Sequence, residues 1–241
     1  MIAPARGRRP LTQYLNHTQT IPAAPQSGWS TRRAGVIEQL LKNFVVMFVV
    51  IEPVTLIPVF GALTRGGAAG FRRRMAVKAV SISALIFLGF ALAGEQLLKV
   101  LGISVDAFRI GGGLLLFMVS VDMVFARESG LRSATIREQE EARYRDDISV
   151  FPLAFPLIAG PGALATLLLL LGDAEDDLLS VGLLLAVVFV VLAITLVMML
   201  LTNPIMRVLG VTGANVVSRL LGVVLVALAV QYVVDGVLAF V

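Results

Sequence analysis

Glu52 stands in the middle of an otherwise apolar stretch and is followed at once by Pro53-Val54-Thr55-Leu56-Ile57-Pro58. Further along, Pro156-Leu157-Ile158-Ala159-Gly160-Pro161 repeats the spacing of a proline, four residues and a proline, with Gly162 next. A proline inside a helix removes one backbone donor and clashes with the carbonyl four residues earlier. Two of them predict a short unwound segment within each stretch. A half-helix starting near Pro58 or Gly162 would present free amides and the positive end of its dipole, which suit a carboxylate. Unwound carbonyls beside it suit an ammonium group or an inorganic cation. Gly160 and Gly162 carry no side chain, so backbone and a small ligand can approach closely. Together these groups describe a site for a zwitterion. An ionisable group at that depth is costly and functional by default, so Glu52 is expected to bind the ammonium or to carry a coupling proton. The plainer alternative is a pair of kinked helices in which Glu52 caps freed donors.

The remaining polar candidates are fewer. Arg109 and Asp122 lie thirteen residues apart, about 20 Å along a helix, so they do not pair with each other. Arg109 and its counterpart Arg219 read as anchors that snorkel to the two interfaces. Asp122 either pairs with Arg127 or forms a proton site in the bundle. Asn43 and Gln231 read as interhelical hydrogen-bonding residues, with substrate contact as the other option. Thr55 and Thr166 are expected to bond their own helix backbone. Gly111, Gly112 and Gly113 favour close helix packing over a phosphate loop, since no strand precedes them. Asp173, Glu175, Asp176 and Asp177 form a solvated acidic loop. There is no cysteine, and His17, the single histidine, lies in a polar stretch. No metal site, cofactor, catalytic residue or enzymatic activity is expected. The basic residues are spread over short loops, which argues against nucleic acid as a partner.

These residues need elements to hold them, and composition says which. The chain is 58% hydrophobic and 15% charged, against about 45–50% and about 25% in soluble domains. Six apolar stretches, 39–63, 77–100, 108–126, 149–171, 178–202 and 216–240, are each long enough to cross a hydrocarbon core of about 30 Å. A soluble enzyme is excluded. The expected fold is all-α, a polytopic membrane bundle whose first and fourth spans are discontinuous. Residues 1–35, with four prolines, five arginines and no acid, are expected to be a disordered arm. Residues 36–126 would form one three-span repeat, 127–148 a charged cytoplasmic loop, and 149–241 a second repeat. Arg109-Ile110-Gly111-Gly112 and Arg219-Leu220-Leu221-Gly222 recur in order with the proline pairs. Three spans per repeat require the second copy to be inverted, the arrangement of transporters whose site lies at the midplane. Arginine in the first, third and fifth loops places those loops in the cytoplasm and both termini outside. The arginine-rich arm conflicts with that topology. The conflict is resolved if translation begins at Val36, in which case the arm is not part of the protein.

At these residues the chain resembles the MarC family of six-span membrane proteins, over roughly 36–241. The carriers are Glu52-Pro53-Val54-Thr55-Leu56-Ile57-Pro58-Val59-Phe60, Phe108-Arg109-Ile110-Gly111-Gly112-Gly113-Leu114-Leu115-Leu116-Phe117, and Pro152-Leu153-Ala154-Phe155-Pro156-Leu157-Ile158-Ala159-Gly160-Pro161-Gly162-Ala163. The stretch from Gly222 to Gly236, with Gln231, also fits. Glu52 and Thr55 stand where the family usually has aspartate and glycine. The resemblance implies a multi-pass protein of the bacterial inner membrane. It further implies transport of small neutral amino acids such as glycine or alanine, coupled to a proton or sodium. The alternatives are a membrane scaffold or stress-related protein, and a passive small-solute channel. Substrate identity, direction and oligomeric state are not assigned.

Overall fold

The computed structural model describes residues 28–67, 69–125, 147–174 and 177–239, and among these residues it is helical with no strand. It divides into two units, Met1–Glu38 and Gln39–Val241. In the first unit, Gly28 onward forms the opening turns of α1 (Gly28–Ile51), so residues 28–35 of the arm are helical rather than disordered. The rest of the arm, 1–27, lies outside the described residues.

The second unit holds the remaining elements. These are α2 (Pro53–Leu63), α3 (Ala69–Val100), α4 (Val105–Phe125), α5 (Ser149–Ile158), α6 (Pro161–Gly172), α7 (Leu178–Leu200) and α8 (Thr202–Leu238). Among the described residues, five helical spans are long and apolar enough to cross a membrane: Val36–Leu63, Gly70–Val100, Val105–Phe125, Leu178–Leu200 and Thr212–Leu238. A sixth is formed if α5 and α6, bent by 53° at their junction, are counted together. The protein is a polytopic helical membrane protein. Most of the charged loop expected at 127–148 lies outside the described residues.

The way each helix is covered follows from its sequence. α6 reads Pro-Gly-Ala-Leu-Ala-Thr-Leu-Leu-Leu-Leu-Leu-Gly, with no polar face to offer, and Gly162 to Leu170 are all buried. A helix apolar all round belongs inside a bundle, and α6 is the central one. α3 instead begins with Arg72, Arg73 and Arg74 and turns apolar only later. Its 32 residues span about 48 Å, so its charged first turns extend past the hydrocarbon. Leu85 and Leu92 on α3 are 68% and 74% exposed, as a lipid-facing side should be.

Backbone approach organises the α4–α8 pair. A side-chain carbon on Gly113 would lie 2.9 Å from the Ala229 carbonyl oxygen, and one on Gly236 would lie 3.0 Å from that of Asp106. Gly222 faces Ser120 and Met123. Positions rise on one helix as they fall on the other, so the two run antiparallel. Small residues permit such approach, and in lipid the resulting van der Waals contact is what holds helices together. Elsewhere α2 packs on α7 and α8, and α6 packs on α3 and α4. Gly210, with φ of +64°, interrupts the regular helix of α8 after its first turns. A left-handed angle of that kind is a glycine position.

Four buried hydroxyls within the spans are satisfied by a carbonyl one turn back on their own helix. Thr64 donates to Phe60 O (2.7 Å), Ser83 to Ala79 O (2.9 Å), Thr166 to Gly162 O (2.9 Å) and Thr195 to Val191 O (2.8 Å). The loops sort to two ends. Lys78 pairs with Asp147, and Arg72 with Asn203, at one end. Arg109 pairs with Asp173 at the other.

Candidate functional site

The first break is a single residue. Glu52 adopts φ 53° and ψ 60°, left-handed, and is the one non-glycine residue with positive φ among the described residues. A residue of that kind costs about 1–3 kcal/mol and persists only where its surroundings impose it. The following proline disfavours the right-handed α region for the residue before it, which is why α1 does not run on through Glu52. The Glu52 N–H still donates to Phe48 O (3.0 Å), ending α1. The N–H of Thr55 then turns to Glu52 O (3.1 Å), starting α2 with Pro53 in its first turn. The unwound stretch expected between Pro53 and Pro58 is therefore corrected: Pro58 lies inside α2, and the half-helix begins at Pro53. A first-turn proline lacks only a donor that would have no partner in the helix. Glu52 itself is 0% exposed. The Thr55 hydroxyl, expected to bond its own backbone, is buried without a hydrogen-bond partner among the described residues.

The second break is wider and falls where the second proline pair places it. Phe151 and Phe155, each preceding a proline, take extended angles, and the peptide bonds to Pro152 and Pro156 are cis. Leu153 N–H donates to Ile148 O (3.3 Å) and Ala159 N–H to Ala154 O (2.9 Å), five-residue steps that make α5 a π-helical segment. Gly160 is extended and Pro161 opens α6. The helical ladder resumes with Leu164 N–H to Gly160 O (3.0 Å). The amides of Gly162 and Ala163 precede that bond and have no partner within the helix. Gly160 is required by its surroundings, since a side-chain carbon there would lie 2.5 Å from the Pro156 carbonyl oxygen. At Gly162 the same carbon would meet Leu116 at 2.9 Å.

A cavity of about 20 Å³ lies at this second break. Pro156, Gly160, Pro161 and Gly162 line it together with Val50 of α1, Leu116 and Val119 of α4 and Leu225 of α8. Four of the expected site residues are thus brought together. Glu52 lies two residues beyond Val50 in the chain. The volume holds about one water, so the described conformation is closed around the break. Ser83 of α3, buried completely, also donates to the carbonyl of Ala154 at 3.4 Å. The sequence reading missed Ser83, for a lone serine in an apolar helix carries no signal of which element it faces.

The other candidates are not part of this cluster. Asn43 is buried and accepts from Gln39 on the same helix at 3.2 Å. Gln231 faces outward and donates to Asp235 on its own helix at 2.6 Å, which corrects the interhelical bond expected of it. Four residues of helix bring those two side chains onto one face. Arg109 is not a lipid-facing anchor. Its side chain is 18% exposed, and the guanidinium bonds Asp173 at 2.7 Å, with Asp106 at 3.7 Å. Arg219, by contrast, is exposed. Asp122 is partly buried near the end of α4, and its expected partner Arg127 lies outside the described residues. Tyr232, also missed, is 8% exposed, and its Oη has no hydrogen-bond partner among the described residues. Among those residues no cluster of His, Cys, Asp or Glu could hold a metal.

In the segment just before α5, the carboxyl of Asp147 is lowered from 3.8 to about 2 by the Lys78 ammonium beside it, helped by the Ser149 hydroxyl and amide. Asp177 caps α7 by accepting from Ser180 N–H (3.0 Å), and the Ser180 hydroxyl is the main reason its pKa is lowered.

The sequence profile of the MarC family integral membrane proteins matches residues 37–241. The chain is 36% identical over 206 residues to UPF0056 membrane protein MJ1677 of Methanocaldococcus jannaschii, covering 83% of this chain and 97% of the relative. It is 32% identical over 197 residues to UPF0056 membrane protein YvbG of Bacillus subtilis, covering 80% and 91%. It is 31% identical over 203 residues to UPF0056 inner membrane protein YhgN of Escherichia coli, covering 83% and 97%. No solved structure matches.

Proposed function

Because the chain belongs to the MarC family of integral membrane proteins, we propose that it is a secondary transporter of small neutral amino acids in the cell membrane. The observation that carries this reading is the second break, where the first amides of α6 open onto a cavity shared with α1, α4 and α8. Non-helical backbone at membrane depth is tolerated only against protein or a water-filled cavity, and here a cavity adjoins it. The amides of Gly162 and Ala163 would take the substrate carboxylate at the positive end of α6. The carbonyls around Ala159 and the Glu52 carboxylate would take the ammonium group. Thr55, with its hydroxyl buried and unpartnered among the described residues, supplies a further donor beside the first break. Glu52 or unwound carbonyls would couple a proton or sodium.

An inverted repeat fits the packing. Exchanging α2 with α6, α3 with α7 and α4 with α8 turns the contacts of α2 on α7 and α8 into those of α6 on α3 and α4. The α3–α7 and α4–α8 contacts map onto themselves. A two-fold relation of this kind lets one half rock against the other around a fixed site. The closed cavity would be the occluded arrangement between two open ones. The loops with arginine would face the cytoplasm, with both termini outside.

Flux of radiolabelled glycine and alanine in proteoliposomes tests the reading, with and without an imposed proton or sodium gradient. The expected result is saturable, gradient-driven flux that Glu52→Gln abolishes while the variant elutes as the native protein does in gel filtration. Absence of flux from folded protein would sink these substrates and favour a scaffolding role. Flux that neither saturates nor responds to a gradient would indicate a passive channel.

A further inference from the structure

At the end of the bundle opposite the Arg109–Asp173 pair lies a crevice of about 370 Å³, lined by Gly67, Arg72, Arg73, Met199, Leu200, Thr202 and Asn203. One wall is basic and polar and the other apolar. Arg72 is held in place by neutral groups, since its Nη1 donates to Asn203 Oδ1 at 2.9 Å and its Nε to Thr64 O at 3.4 Å. Neither bond cancels the charge. Arg73 is exposed, and neither arginine has an acidic partner among the described residues. Lys78, Lys99 and Arg109 do have one. Among the described residues the crevice therefore presents two guanidinium groups without an acidic partner, one of them fixed in orientation. A planar fork of donors matches the geometry of phosphate, the anion that membrane phospholipids carry.

The apolar wall says where that phosphate comes from. Leu200, at the crevice, is 45% exposed, and Leu201 beside it 47%. Val197 and Val190, one and two turns or more back along α7, are 52% and 51% exposed, and Ala193 between them is exposed too. Residues 190, 193, 197 and 200–201 recur at the spacing of one helix face. This stripe runs from the crevice into the hydrocarbon, as a track for an acyl chain would. A soluble anion needs the arginines but has no use for the stripe.

We infer that the crevice binds the phosphate of an anionic membrane phospholipid, seated on Arg72 and Arg73 with an acyl chain along α7. Basic pockets between helices at the membrane surface hold lipid headgroups by this combination of charge and depth. The site is separate from the α6 cavity and shares no lining residue with it, so it stands whether or not the protein transports amino acids.

Native mass spectrometry of the whole protein in detergent tests this, with phosphatidylglycerol, phosphatidylcholine and inorganic phosphate titrated separately. Retained phosphatidylglycerol adducts, at least tenfold tighter than phosphatidylcholine adducts, are the expected result. Arg73→Gln should weaken the phosphatidylglycerol adduct about tenfold, the scale of one charged hydrogen bond. Arg73 is exposed and makes no side-chain hydrogen bond or ion pair among the described residues, so that variant isolates the ligand contact. Arg72→Gln should weaken it at least as much, with folding checked by the melting temperature. Equal retention of both lipids, or no effect of Arg73→Gln, would overturn the proposal. Inorganic phosphate that competes at concentrations comparable to the lipid would mark a free-anion site and overturn the lipid assignment.

Discussion

At the scale of single residues, the two breaks are made by opposite means. Glu52 is a long, ionisable side chain forced into a left-handed angle, with the ladder re-routed through its own carbonyl. Gly160 has an ordinary φ of −73°, and what it contributes is the absence of a side chain next to the Pro156 carbonyl. Gly160→Ala would place a carbon 2.5 Å from that oxygen, a contact that must be relieved by moving backbone. The expected outcome is a loss of about 1–3 kcal/mol, the usual cost of overpacking, together with loss of transport. Thermal unfolding in detergent and flux measured on the same preparation would check both parts. Gly111→Ala, at a position inside α4 where a side-chain carbon meets nothing within 4 Å, is the control and should leave transport unchanged without lowering stability. The proline–glycine chemistry of the second break was legible in the sequence because Pro156, Gly160, Pro161 and Gly162 act locally. Which of two prolines opens a half-helix was not. Pro53 opens one and Pro58 does not, because a left-handed Glu52 already ends α1 and leaves Pro58 a full turn into the new helix.

At the scale of elements, α3 and α5 are joined at one end by Lys78 and Asp147 and deeper in by Ser83 and the Ala154 carbonyl. The carboxyl of Asp147 is lowered from 3.8 to about 2, so the folded state binds a proton there less readily than the unfolded state. The stabilisation is complete above pH about 4 and is lost as pH falls toward 2. Both side chains are about half exposed, with Lys78 at 48% and Asp147 at 41%, so solvent screening keeps the contribution small. Lys78→Gln should therefore lower the melting temperature slightly at pH 7 and converge on the native value toward pH 2, which flattens the acid limb between pH 4 and pH 2. An unaltered acid limb would remove Asp147 as its source. The sequence placed Lys78 only as a topology residue at the edge of a loop. Its partner lies 69 residues away, a separation at which no local pattern operates.

On the scale of the whole molecule, the cavity belongs to no single helix, since α1, α4, α5, α6 and α8 all contribute to its wall. Its volume of about 20 Å³ means that, under the proposed transport function, a substrate would enter only when these helices separate. The chain has no cysteine, so a single introduced thiol can report on that movement without background. Val119→Cys lines the cavity on α4 and is only partly buried. Slow modification by a small hydrophilic thiol reagent is expected, made slower by alanine at concentrations that saturate flux. Modification equally fast with and without alanine would place the substrate elsewhere. A thiol at Leu85, facing lipid on α3, should be insensitive to alanine in either case.

The apolar stretches determined by themselves that this is a multi-pass helical membrane protein, because a hydrocarbon layer admits only segments that satisfy their own backbone. They also located every span end to within four residues except the start of the second, expected at 77 and found at Gly70. Those are short-range effects, carried by residues adjacent in the chain. The tertiary structure alone decided which residues meet. Arg109 looked like one of two matching anchors, yet it closes an ion pair on Asp173, 64 residues away, while Arg219 stays exposed. Gln231 looked like an interhelical contact, yet its helix turns it outward toward Asp235. In a chain where most positions are aliphatic, periodicity does not say which face of a helix is inside. That is settled by small residues such as Gly113, Gly222 and Gly236, which let α4 and α8 close on each other. Their effect depends on the partner they happen to oppose.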